Sequence, residues 1–205
     1  TNLGAHIDTK LGRQLKVNSP ILEESQLGAI EKQSTSDGGV EAHILDTTFL
    51  LSIEKLDETS VEYANKMRDA LKALLMQAEE AAKKGGIIIV SDRNIGTDRV
   101  AIPDMIVVAA IRKHLIAKDL MRNVSIVADS CQASGTHEIA ALLSVGASAV
   151  YPRGAYEKVH EFAETNPKFE GKSAKEHYTS YHHGVEKTLL KIMGKVGITD
   201  INNYS

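Results

Sequence analysis

Asp92, Arg93, Asp98 and Arg99 crowd into the stretch SDRNIGTDRV, immediately after the bare apolar run IIIV. Carboxylates exchange protons, and the planar fork of a guanidinium clamps a carboxylate or a phosphate. The same kind of polar exit recurs along the chain. EAHILD runs into Asp46, Thr47 and Thr48, VSIVAD into Asp129, Ser130 and Cys131, and ASAVY into Pro152 and Arg153. Ligands of parallel α/β sheets gather beyond the carboxyl ends of the strands. If these runs are neighbouring strands, Asp92, Arg93, Asp129 and Arg153 form one polar rim, suited to an anionic small molecule or to a contact between domains. The competing reading is a fixed Asp–Arg network that satisfies loop backbone groups, because Asp and Ser at strand ends commonly do that work.

Other chemical signals are weaker. Neither glycine-rich phosphate motif, G-x-G-x-x-G or G-x-x-x-x-G-K-[ST], occurs. Gly135 and Thr136 open a helical pattern whose free amides suit an anion, without further glycine support. His137 and Glu138 lack the second histidine of a zincin, since Ala141 stands there, and the adjacent His182 and His183 point to different helix faces, so no metal site is assigned. Cys131 has no partner base at a telling spacing and reads as a small, partly buried side chain. Arg99 reads as a loop anchor, and His114 as a group near the carbonyls of a helix end. In LLKIMGKVGI, Leu190, Met193 and Val196 read as a packed helical face.

The elements that must position these residues alternate. Residues 1–40 form an irregular lead-in, with VNSPIL and STSDGG as turns and one short helix over 24–32. Residues 41–196 read as βαβαβαβα. EAHILD (41–46) is a short strand, and Thr59 with Glu62 makes a capping-box pattern. Tyr63, Met67, Leu71, Leu74, Leu75, Ala78 and Ala82 then recur at helical spacing. Lys83 and Lys84 suit that helix's negative end, and Gly85 leaves it left-handed. IIIV (87–90) has no polar alternation, as befits a strand buried on both faces. Pro103 is placed at a first helical position, and Thr136 as a helix cap before a stop at Gly146. Ser173 and Glu176 make a second capping box, and 197–205 form an exit segment. The expected fold is α/β, a parallel sheet of about four strands with flanking helices and right-handed crossovers, resembling part of a TIM-type barrel.

Composition narrows the function classes. The chain of 205 residues is 42% apolar and 25% charged with a net charge of −3, which fits an ordinary globular protein and offers nucleic acid or an anionic membrane no basic stripe. Its apolar runs are too short for a membrane span, and TNLGAHIDTK has no secretory pattern. One cysteine precludes a disulfide within the chain, so the expected compartment is reducing and cytoplasmic.

Six segments in order, SPIL, LDTTF, SDR followed by AIP, LLSVGASAVYP, AYE and GVEKTLLKIMGKVGIT, resemble the central domain of glutamate synthases of the large-subunit or ferredoxin-dependent type. The likeness runs from about Val17 to Tyr204. It implies an α/β domain that joins a glutaminase domain to an FMN-binding domain and helps wall an internal ammonia tunnel, within an enzyme that makes glutamate from glutamine and 2-oxoglutarate. FMN and an iron–sulfur cluster then belong to the parent enzyme and neither to this chain, which lacks an N-terminal cysteine nucleophile and the three cysteines of a cluster. By motif position, Thr47 and Thr48 are tunnel candidates, with SPIL nearby. The chain departs from the family pattern at Ser134, Glu138, Arg153, Gly194 and Val196. Two other readings stay open: an independent half barrel that binds an anion at its strand ends, and a self-associating structural domain.

Overall fold

A computed structural model describes residues 6–8, 14–33, 39–51, 61–166, 171 and 173–198. Its centre is a four-stranded, all-parallel sheet of β3 (Ala42–Asp46), β5 (Gly86–Ser91), β7 (Val124–Asp129) and β8 (Ala149–Tyr151), in that spatial order. The order follows the chain, so each crossover advances the sheet by one strand, as in a segment of a barrel. Helix α2 (Val61–Lys84) links β3 to β5, α3 (Asp104–Ala117) links β5 to β7, and α4 (Thr136–Ser144) links β7 to β8. Helices α5 (Arg153–Thr165) and α6 (Ala174–Val196) follow. The α/β class and the parallel sheet are as expected from the sequence.

Alternation along β5 explains why IIIV has no polar position. Ile88 and Val90 enter a core built with α2, α3, α4 and α6, including Leu74, Ile111 and Leu189. Ile87 and Ile89 enter a second core on the opposite face, with Leu22, Leu27, Val127 and Tyr156. Leu22 and Leu27 belong to the lead-in, so this segment covers the sheet. Its helix α1 is Glu24–Gln33, close to the expected span. Residues 20–22 run beside β8: Ile21 bridges Val150 in parallel, Val150 N–H donates to Pro20 O at 2.7 Å, and Leu22 N–H donates to Val150 O at 2.8 Å.

Several sequence expectations shift. The lead-in also carries an antiparallel ribbon of β1 (His6–Asp8) and β2 (Gln14–Lys16). A second ribbon, β4 (Thr48–Leu50) with β6 (Arg99–Ala101), sits beyond the sheet; runs of three residues are too short to show a period. Pro103 is the cap residue before α3 and Thr136 the first residue of α4, each one place from its expected position. On α6 the inward row is Val185, Leu189 and Met193, whereas Leu190 and Val196 are mainly exposed, because a spacing of four keeps that row in the core. The Ser173–Glu176 capping box forms as read, and Gly85 adopts a φ of 82°. Thr59, most of STSDGG and residues 199–205 lie outside the described residues. Among the described residues no helix is long and apolar enough to cross a membrane.

Candidate functional site

Register brings the strand-end residues together. Asp46 aligns with Ser91, Ser91 with Asp129, and Asp129 with Tyr151, so the polar exits of all four strands lie along one edge of the sheet. Asp129, 1% exposed at its side chain, accepts hydrogen bonds at Oδ2 from Ser91 Oγ (2.7 Å) and Arg93 Nε (2.5 Å). Asp92 is equally buried; its Oδ1 accepts from Arg153 Nη2, and its carboxylate accepts Cys131 N–H at 3.0 and 3.1 Å. Arg153 Nε approaches Asp129 Oδ1 to 3.5 Å, an ion-pair distance at which neither buried atom forms a hydrogen bond. The four residues singled out in the sequence thus form one group of two carboxylates and two guanidiniums with no formal net charge. Arg93 pairs with Asp129.

Local folding fixes this arrangement. Gly154 N–H reaches Ser130 O at 3.4 Å, and a Cβ on Gly154 would lie 2.2 Å from Cys131 O, so only glycine lets α5 start this close to the loop after β7. Ser130 Oγ donates to Asp104 Oδ2 (2.6 Å) and accepts from the amides of Gln132 and Ala133 (both 3.0 Å), tying the same loop to α3. Burial, and then a hydrogen bond to Asp92, push the Cys131 thiol up to about 11, opposite to a reactive thiolate. Arg93 lies 5.7 Å over the Tyr151 ring and keeps 45% of its side chain exposed.

Thr47 and Thr48 are both buried beside β3 and are occupied locally. Thr47 donates to Ser91 O through its amide (2.9 Å) and its hydroxyl (3.1 Å). Thr48 donates to Asp46 Oδ1 through its amide (2.8 Å) and its hydroxyl (2.7 Å), and its oxygen accepts from Arg99 Nε (2.9 Å). Arg99 Nη2 also meets Asp46 Oδ2 at 2.8 Å, and so acts as the loop anchor read from the sequence. Burial opposes ionisation of Asp46, but hydrogen bonds from Asn94 and Thr48, with Arg99 nearby, hold its carboxyl below the usual range. SPIL lies at the β8 edge and LDTTF at the β3 edge, so the two segments are at opposite sides of the sheet.

Sequence reasoning missed three groups. Asn94 donates to Asp46 Oδ2 at 2.9 Å, although an Asn in a loop carries no signal of its own. Tyr151, Tyr156, Tyr178 and Tyr181 form an aromatic cluster with centroids 5.4 to 5.6 Å apart. His114 binds Glu79 on α2 (2.9 Å) through its side chain and not the helix-end carbonyls. Among the described residues, no three His, Cys, Asp or Glu side chains gather to hold a metal. The donor set fits neither an iron–sulfur cluster, with one protonated thiol, nor a flavin phosphate, with the strand-end guanidiniums facing carboxylates.

Residues 2–205 match the family described as the glutamate synthase central domain. The chain is 29% identical to the ferredoxin-dependent glutamate synthase of Pyropia yezoensis, covering 95% of the chain and 12% of that protein. It is 29% identical to the large chain of the NADPH glutamate synthase of Bacillus subtilis, over 94% of the chain and 12% of that protein. It is 32% identical to ferredoxin-dependent glutamate synthase 1 of Arabidopsis thaliana, over 93% and 12%.

Proposed function

The chain belongs to the glutamate synthase central-domain family, and from that premise we propose that it is a connector, inactive alone, between the glutaminase and FMN-binding domains of a parent synthase. In this reading the parent makes glutamate from glutamine and 2-oxoglutarate, and its FMN and iron–sulfur cluster sit in other domains. The β3 end, with Thr47 and Thr48, contributes to the ammonia tunnel wall. The observation that carries the proposal is the pairing of charges within the rim. Its carboxylates face guanidiniums, its two threonine hydroxyls bond to neighbouring oxygens, and its thiol is held protonated. A thiol nucleophile needs a lowered pKa, and the one thiol here is raised, so the paired groups hold a surface in shape instead.

The test is coupling in the parent enzyme. Thr47→Val keeps the side-chain volume and removes the hydroxyl that bonds to Ser91 O. Expected is a fall in glutamate formed per glutamine hydrolysed, with ammonia appearing in the medium. An unchanged ratio would remove Thr47 from the tunnel wall, and glutamine hydrolysis by the chain alone would end the connector reading. The exposure of Arg93 favours a second reading, in which the half barrel binds an anionic metabolite at the rim. That reading expects saturable binding lost in Arg93→Ala with the fold intact.

A further inference from the structure

The two edges of the central sheet are finished differently. At β8, residues 20–22 supply an extended segment whose backbone pairs with Val150. At β3 the sheet simply stops, because β3 pairs only with β5 among the described strands. Ile87 N–H donates to Glu41 O at 2.8 Å, and Thr47 N–H donates to Ser91 O at 2.9 Å. Between these fixed points the parallel ladder turns alternate residues toward β5, which leaves the backbone groups of Ala42, Ile44 and Asp46 directed outward. Proteins guard such an edge with lysine, proline or a bulge, and the centre of this one carries Ile44 at 58% exposure. A groove beside it runs to α2, where Met76 is 69% exposed, with Glu80 and Lys84 at its polar rim.

We infer that the open edge of β3 receives an extended segment from the remaining polypeptide of the parent synthase, with an apolar side chain seated in the groove between β3 and Met76. The inference rests on the connector reading. Two facts select this occupant. The chain spans 12% of the length of each relative compared, so most of the related polypeptides lies outside it, and the β8 edge shows this sheet already closed by strand addition. Strand addition takes its affinity from main-chain hydrogen bonds and its specificity from side-chain pockets, and this edge offers outward backbone groups beside a groove.

Hydrogen exchange in the intact parent polypeptide tests it. The Ile44 amide is expected to exchange on the order of a hundredfold more slowly than an unprotected amide, and Met76→Glu is expected to restore fast exchange by placing a charge in the groove. A photo-crosslinker at position 76 should then join this chain to residues of the same polypeptide beyond it. Fast exchange at Ile44 in the intact protein, crosslinks only to a second copy, or a native polypeptide of only these 205 residues would each overturn the inference. Ile44 protection is read independently of ammonia transfer. An unchanged coupling ratio in Thr47→Val with Ile44 protected would therefore defeat the tunnel role and leave the docking edge standing.

Discussion

Asp92 and Asp129 are paired with residues far from them in sequence. A buried carboxylate is costly unless paired, and removing one partner of a buried pair costs about 3–5 kcal/mol, so Arg153 holds the first turn of α5 against the ends of β5 and β7. Arg153 bridges both carboxylates. The same environment sets the behaviour of Cys131. Its thiol is raised from 9.0 to about 11, so the folded protein keeps the proton while an unfolded chain releases it. Stability tied to this proton is complete below about pH 9 and is lost as pH rises toward 11. Iodoacetamide labelling of Cys131 should be slow at pH 8 and accelerate to a midpoint near 11. A midpoint near that of an ordinary thiol would show that burial and Asp92 do not hold the proton on this group. Sequence reading placed Cys131 correctly as a quiet side chain, and it gathered Asp92, Arg93, Asp129 and Arg153 from their strand-end positions. It left open which guanidinium meets which carboxylate, because pairing depends on register between strands and on the close approach that Gly154 permits.

Elements were legible where their period was long. Helix α2 announced itself through seven apolar positions at helical spacing, and β5 through an unbroken branched run. The ribbon of β4 and β6 was not legible, since its two strands of three residues are stabilised by partners about fifty positions apart. The contact between α2 and α3 was equally hidden. Glu79 on α2 accepts from His114 on α3 and also meets Lys83 and Lys118, and these bonds, His114 and Lys83 foremost, lower its carboxyl from 4.5 to about 2. A lowered carboxyl contributes stability above its unfolded pKa and loses it as pH falls through the folded value. The urea midpoint of the original protein should therefore exceed that of Glu79→Gln at pH 6. The gap is expected to close between about pH 4.5 and 2. A gap independent of pH would assign the effect to side-chain packing, not to charge.

At the scale of the molecule, the lead-in is structural. Ile21 and Leu22 are 0% exposed, each on a different face of the sheet, and His182 on α6 lies 2.9 Å from Ile21 O through Nε2. One short segment thus closes the β8 edge, enters both cores and is held by the last described helix. The sequence marked 1–40 as irregular because its turns and polar residues give no period, and burial of a single extended turn leaves no pattern to read. If the lead-in is part of the cooperative unit, damage there must be felt everywhere. Leu22→Ala removes a fully buried side chain from the core that also holds Ile89 and Val127, at a cost of about 2–5 kcal/mol. Urea unfolding followed by far-ultraviolet circular dichroism should shift to a lower midpoint in one transition. Tyrosine fluorescence should report the same midpoint, since Tyr151 and Tyr156 line that core. Two separated transitions would make the lead-in an appendage docked on an independent domain. A single shared one makes the sheet, its capped β8 edge and both cores one folding unit, in which β3 is the open edge among the described strands.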